Sequence, residues 1–181
     1  MKSKFPVWAR LTVITLVAGL MLGAVYALTK DAIDEQARLA QEASRRAVFE
    51  TAESFNPVEL EENAPVDSLY EAIAGNEVAG YVCAITVKGY GGNIEVTVGM
   101  TPDGTVSGIA VGGADFSETA GLGAKTKEPD FTSQFKGLVL PIAVTKDGGQ
   151  VDSVTSATIS SRAITNGVAE AIEYMLTEVS E

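Results

Sequence analysis

The chain has 181 residues but no histidine and only one cysteine, Cys83. These shortages exclude, within a single chain, a Ser–His–Asp triad, a histidine-ligated haem, a zinc site of cysteine and histidine, and a cysteine-held iron–sulfur cluster. An internal disulfide is excluded as well. Cys83 lies in the apolar run 81–85, so we expect a buried small side chain rather than a reactive thiol. Redox chemistry would therefore need an organic cofactor.

Acidic residues are missing from the N-terminal segment, since all 24 lie after position 30. Lys2, Lys4 and Arg10 precede an uncharged stretch, 11–29, that is long enough to cross a hydrocarbon core of about 30 Å as a helix. This stretch predicts a membrane anchor. Because basic flanking residues stay on the cytoplasmic side, we expect the rest of the chain to lie outside. The alternative is a signal peptide cleaved after Ala27. The stretch exceeds the usual apolar region of about 7–15 residues, which favours the anchor.

The segment from Lys30 onward is strongly acidic. Three of the 13 basic residues precede it, so 10 basic residues are set against 24 acidic ones, a net charge of −14. Nucleic acid and anionic lipid headgroups are poor partners for such a surface.

Glycine and proline are also absent from 31–52, a run rich in Ala, Glu, Gln and Arg. This predicts a continuous stalk helix that ends before Asn56-Pro57. An acidic loop is predicted over 59–67, followed by a short helix over 68–74 that Gly75 closes.

β-Branched and alternating apolar residues predict a sheet after this point. We expect strands over 78–87 and 93–99, a turn over 101–104, and a strand over 105–111 that pairs antiparallel with the strand before it. A further strand is predicted over 138–145. Apolar residues then recur at steps of three and four, which predicts a C-terminal helix over 160–178; they are Ile164, Val168, Ile172, Met175 and Val179.

A short segment of small and hydroxyl residues, 152–158, precedes this helix. Its sequence is Asp-Ser-Val-Thr-Ser-Ala-Thr. A threonine hydroxyl at a helix N-terminus lies beside free N–H groups and the positive end of the helix dipole, where a phosphate is favoured. A capped helix with no further role is the alternative interpretation.

The segment resembles the Asp-x-x-(Ser/Thr)-(Gly/Ser)-Ala-(Thr/Ser) flavinylation motif of the FMN-binding domain family, whose last hydroxyl is esterified to the phosphate of FMN. The resemblance implies covalent FMN on Thr158, contacts from Thr155, Ser156 and Ala157, and recognition of Asp152 by the transferase that attaches the flavin. Ser156 stands where glycine is commoner, and glycine reaches positive φ far more cheaply.

A second loop, 115–125, contains a Gly-x-Gly that alone predicts only a flexible connector. The loop also resembles the Glu-Thr-Pro-Gly-Leu-Gly loop of the same family, which lies against the flavin; Ala120 replaces the proline, and Phe116 stands where the family often has histidine. Phe131 and Phe135 match the family's short aromatic helix. The flavin contacts implied for this loop are Glu118, Thr119, Gly121, Leu122, Gly123 and Lys125. Neither Glu118 nor Thr119 is expected to be needed for a core, and a solvated surface role for Lys125 remains open.

The layout as a whole is similar to that of the G subunits of Rnf electron-transport complexes. The related C subunits of Na⁺-translocating NADH:quinone reductases share the motifs but are usually longer. The resemblance implies an α+β fold with a cytoplasmic N-terminus and transmembrane anchor (1–29), a stalk helix (30–56) and one FMN-binding domain (57–181) that has a largely antiparallel sheet and a C-terminal helix.

The function implied is that of a membrane-anchored electron-carrier subunit, with covalently bound FMN, in an ion-translocating ferredoxin:NAD⁺ oxidoreductase complex. It would not be a stand-alone enzyme with catalytic residues or a metal site. Its partners would be the membrane and iron–sulfur subunits of that complex, with a Mg²⁺-dependent flavin transferase using FAD during maturation. It would sit in the cell membrane with the FMN domain on the periplasmic or extracellular side. The alternatives are an FMN subunit of another membrane redox pathway and an anchored binding domain without redox chemistry.

Overall fold

The computed structural model describes residues 6–75 and 77–179. Its first element, α1, is a helix over Val7–Val48. This helix includes a stretch long and apolar enough to cross a membrane, with none of that stretch buried. Lys2 and Lys4, on which the predicted orientation partly depends, lie outside the described residues. By packing, the chain divides into one unit up to Leu39 and a second from Ala40 onward.

The stalk helix ends earlier than predicted, at Val48 rather than near residue 52. Val48 and Phe49 are buried with Ala72 and Val82 in a small apolar cluster, so the chain leaves the helix to cover one face of the sheet. The predicted helix terminator Asn56-Pro57 lies instead inside the first strand. That strand is at the edge of the sheet, where the missing N–H of proline is tolerated.

Five strands form a single antiparallel sheet in the described part of the chain, and each strand pairs with its neighbours in sequence order. The strands are β1 (Ser54–Val58), β2 (Ser68–Ala74), β3 (Glu77–Lys88), β4 (Asn93–Met100) and β5 (Val106–Gly112). The predicted hairpin of β4 and β5 is confirmed. Its turn is closed by the Gly104 amide, which donates to the Thr101 carbonyl at 2.9 Å.

The short helix predicted over 68–74 is wrong, because this segment is strand β2. Its buried residues Leu69 and Ala72 are three apart, a spacing that suggests one face of a helix. In a strand this spacing places the two side chains on opposite faces. Leu69 joins the main core and Ala72 joins the cluster with Val48, so both faces of the strand are covered.

The main core lies between the sheet and α3, the C-terminal helix over Thr158–Val179. The predicted apolar stripe is confirmed, because Ile164, Val168, Ile172 and Met175 are all fully buried. The side chain of Val179 lies outside the described residues. Cys83 is buried in the same core, as expected, and burial raises the pKa of its thiol to about 12.

The predicted aromatic helix is present as α2 (Pro129–Thr132), continued by a 3₁₀ turn over Ser133–Phe135. The rings of Phe131 and Phe135 meet edge-on with centroids 5.4 Å apart.

The strand predicted over 138–145 is wrong. This segment forms one parallel bridge, between Val144 and Val151, and then a 3₁₀ turn over Thr145–Asp147. Its apolar pattern reflects the burial of Ile142 and Val144 in a loop. Pro141 lacks the N–H that a ladder would need.

Candidate functional site

The segment that precedes α3 turns sharply into the helix. Ser156 has a φ of 65° and is the sole non-glycine residue with positive φ among those described. The buried hydroxyl of Ser161 stabilises this turn, because it accepts from the Val154 amide and donates to the Ala157 carbonyl, both at 3.0 Å. The position at which the motif prefers glycine is therefore one that needs left-handed backbone. Thr158 follows as the first residue of the helix.

A cavity of about 440 Å³ lies beside Thr158. It brings together the two segments that the sequence singled out, although they are more than 30 residues apart in the chain. The residues that line it are Tyr90, Glu118, Thr119, Leu122, Gly123, Ser156, Ala157, Thr158, Ile159 and Ser160. Cavities of this size are typical of small-molecule sites.

The walls of the cavity are joined by the carboxylate of Glu118. Its Oε1 accepts from the Ser160 hydroxyl at 2.8 Å and from the Gly91 amide at 2.9 Å. The Ser160 hydroxyl in turn accepts from the Tyr90 amide at 3.1 Å. Glu118 thus links its own loop to α3 and to the β3–β4 turn, contacts that the sequence did not predict for it.

Glycine at position 123 leaves room for the Glu118 side chain. A Cβ there would collide with the Glu118 carboxylate, which packs directly on the Gly123 backbone. Gly121 differs, because a Cβ would meet nothing within 4 Å, but its φ of 78° disfavours other residues.

Lys146 contacts the predicted acceptor hydroxyl directly, because its Nζ donates to Thr158 Oγ1 at 2.9 Å. It lies in the 3₁₀ turn Thr145–Asp147. Arg162 of α3 binds Asp147 of the same turn through Nε and Nη2, at 2.6 and 2.8 Å. Hydrogen bonding from Arg162 holds the pKa of Asp147 below its usual range.

Known proteins resemble this chain in sequence and in fold. Residues 89–173 match the family of FMN-binding domains. The chain is 35% identical over 179 residues to the G subunit of the proton-translocating ferredoxin:NAD⁺ oxidoreductase complex of Clostridium ljungdahlii, with 97% of this chain and 93% of that protein covered. It is 33% identical over 172 residues to the G subunit of the ion-translocating oxidoreductase complex of Methanosarcina acetivorans, with 91% and 90% covered.

The chain belongs to the family of G subunits of ion-translocating oxidoreductase complexes. The resemblance found from the motifs is thereby confirmed. In fold, the chain is similar to the C subunit of the Na⁺-translocating NADH-quinone reductase of Parabacteroides distasonis, with a TM-score of 0.53 at 23% identity over 63% of each chain. Shewanella oneidensis NqrC gives 0.51 at 18% identity, over 74% of this chain and 73% of that one.

Three residues predicted to bind flavin or to be recognised by the transferase lie outside this cavity. Asp152, Thr155 and Lys125 line a second depression of about 300 Å³. Gln134 holds Asp152 in place there, because its side-chain oxygen accepts from the Asp152 amide at 2.7 Å. Gly121 does not line the first cavity.

The sequence analysis missed Tyr90, Ile159, Ser160 and Lys146. Ile159 carried a signal, since it is a large apolar residue next to the segment 152–158, and it is 56% exposed. Tyr90 is 75% exposed but lies far in sequence from both segments singled out. Ser160 is the second residue after the motif, which ends at Thr158. Lys146 carried none, because it lies in the 3₁₀ turn of a loop whose path depends on the tertiary fold.

Proposed function

We propose that this chain is a membrane-anchored electron-transfer subunit that carries FMN as a phosphoester on Thr158. The observation that carries the proposal is the single cavity shared by the flavinylation-like motif and the Glu118–Gly123 loop. Thr158 lines this cavity and is half-buried. Neither segment alone would support more than a capped helix or a connector.

The residues present fit a flavin phosphate and ring. Thr158 supplies the hydroxyl, and the first turn of α3 offers backbone N–H groups that have no partner within the helix. Leu122, Ile159 and Tyr90 provide exposed apolar surface around the cavity for the ring. Bound flavin can take up and release one or two electrons, which lets it join carriers of both kinds. The chain binds and orients it and limits the access of water.

We further propose that the complex is an ion-translocating ferredoxin:NAD⁺ oxidoreductase. The family membership supports this, because the Clostridium ljungdahlii relative is named as a subunit of such a complex. Its membrane and iron–sulfur subunits would be the electron-transfer partners of this chain. A flavin transferase that uses FAD would attach the FMN, and Asp152 would be part of what it recognises.

The anchor would be the apolar part of α1, with the N-terminus in the cytoplasm and the FMN domain on the outer face. Its length and exposed apolar surface support a membrane location. Protease added to right-side-out cells should remove the domain while leaving the anchor. Mature protein that begins after Ala27 would show instead that the segment is a cleaved signal peptide.

Mass spectrometry of the chain produced with its transferase tests the cofactor assignment. Peptide mapping should place an FMN-sized adduct on the 153–162 region, Thr158→Ala should abolish it, and Thr158→Ser should retain part of it because the motif accepts either hydroxyl. Asp152→Ala should slow modification with little effect on folding, since the side chain is exposed. An adduct that survives Thr158→Ala, or that maps to Thr119, would overturn the assignment.

A further inference from the structure

We infer that Lys146 is a binding residue for the flavin phosphate, and that it positions the Thr158 hydroxyl before the ester forms. The inference rests on the proposed function, because it concerns the same hydroxyl. The observation behind it is the hydrogen bond of 2.9 Å from Lys146 Nζ to Thr158 Oγ1. Nothing in the flavinylation-like motif points to this residue, since it lies in the loop upstream.

The backbone around Lys146 is fixed on both sides although its side chain is exposed. Before it, Val144 is buried and bridges Val151, and the Thr145 amide donates to the Val151 carbonyl at 2.8 Å. After it, the ion pair of Asp147 and Arg162 fastens the 3₁₀ turn to α3, the helix that begins with Thr158. The fixed backbone on both sides therefore places the Lys146 ammonium group beside the Thr158 hydroxyl before the ester forms.

A cation at this position meets an electrostatic need. The segment from Lys30 onward carries a net charge of −14, with 10 basic and 24 acidic residues, and Glu118 lines the cavity. A phosphodiester on Thr158 adds another negative charge at the same place. Arg162 is engaged by Asp147, which leaves Lys146 aimed at the hydroxyl. Charge-assisted hydrogen bonds from ammonium to phosphate are about twice as strong as neutral ones.

The step that forms the ester is a substitution at phosphorus with no change of oxidation state. Thr158 Oγ1 bonds to the flavin-side phosphorus of FAD, the bond from that phosphorus to the bridging oxygen breaks, AMP leaves with the bridging oxygen, and the hydroxyl proton is released. A protonated lysine cannot accept that proton, so Lys146 is not the base. Before the step, Lys146 Nζ donates a hydrogen bond to Thr158 Oγ1. After the step, it donates to a phosphate oxygen.

The test compares the full chain with Lys146→Met, Lys146→Arg and the control Lys136→Met, which removes an exposed lysine on a different depression. Each is incubated with purified transferase, FAD and Mg²⁺, and intact mass is followed over time. We expect Lys146→Met to slow modification about tenfold, equivalent to about 1.4 kcal/mol, as for loss of one charged hydrogen bond at an exposed site. Lys146→Arg should recover most of the rate, and Lys136→Met should match the parent.

A second measurement is the change in thermal midpoint on modification, which a merely structural role of Lys146 would not alter. The thermal midpoint is determined for the parent and for Lys146→Met, each before and after modification. We expect modification to raise the midpoint more in the parent than in the variant, because only the parent offers the phosphate a cation. If Lys146→Met does not fold, Lys146→Gln takes its place with the same expectation, since it keeps a polar side chain.

The outcomes separate the two proposals. A parent chain that gains no FMN adduct on Thr158 overturns the proposed function itself. A parent that is modified on Thr158, beside a Lys146 variant modified at the same rate and with the same change in midpoint, overturns the role of Lys146 and leaves the proposed function standing.

Discussion

Replacing Glu118 with alanine should both destabilise the domain and loosen its cavity. The carboxylate accepts hydrogen bonds from Ser160 and from the amide of Gly91. Ser160 is fully buried, so its hydroxyl would lose a charged partner that water replaces poorly, at a cost of about 1.5–3 kcal/mol. The Gly91 amide is exposed and can donate to water instead, so the loss of its hydrogen bond adds only about 0.5 kcal/mol. We expect a total of about 2–3.5 kcal/mol.

Two further variants separate the charge from the contact. Glu118→Gln keeps an oxygen acceptor but loses the charge, so we expect a smaller loss of about 1 kcal/mol. Ser160→Ala removes the other partner. Because the two residues share one hydrogen bond, Glu118→Ala and Ser160→Ala should not add in the double variant, with an interaction energy of about 1–2 kcal/mol.

The assay is urea denaturation of the unmodified full chain in detergent, followed by far-UV circular dichroism. Tryptophan fluorescence would not report on the domain, since the one tryptophan, Trp8, lies in α1. A flavinylated sample of each variant should show an altered visible spectrum and reduction potential, because Glu118 lines the cavity. An unchanged midpoint in Glu118→Ala, or strict additivity with Ser160→Ala, would refute the bridging role.

Three other predictions concern single positions of the domain. Ser156→Gly should stabilise the chain by about 0.5 kcal/mol in urea denaturation, because φ is 65° there; a loss of stability would contradict that geometry. Gly123→Ala should alter the visible spectrum of the flavinylated chain, since a Cβ there would displace the Glu118 side chain. Gly121→Ala should destabilise the chain by only about 1 kcal/mol, because φ is 78° there, and should leave the spectrum unchanged; equal spectral effects of the two variants would contradict this distinction. Cys83 should resist iodoacetamide at pH 8 until urea unfolds the chain, because burial raises the pKa of its thiol from 9.0 to about 12, and rapid alkylation of the native chain would disprove the burial. As the pH rises, the thiol of the unfolded chain ionises before that of the folded chain, so the free energy of unfolding should fall between about pH 9 and pH 12.

Several features follow from neighbouring residues alone, and the sequence was sufficient for them. The apolar run within α1, the alternation along β4, the turn at Gly104 and the stripe along α3 all arise from local patterns typical of the element they form. The motif that ends at Thr158 and the Glu118–Gly123 loop are also local patterns, so the FMN-binding family was recognisable before the fold was known.

Other features depended on contacts between distant parts of the chain. The segment 68–74 became strand β2 because β1 and β3 pair with both its edges and apolar clusters cover both its faces, whereas its own spacing suggested a helix. The bridge from Glu118 to Ser160 spans 42 positions and the bond from Lys146 to Thr158 spans 12. Such partners are chosen by how the sheet and α3 pack together, and local periodicity carries no record of that packing. The sequence by itself therefore determined most of the elements and the predicted acceptor, and the tertiary structure decided which side chains surround it.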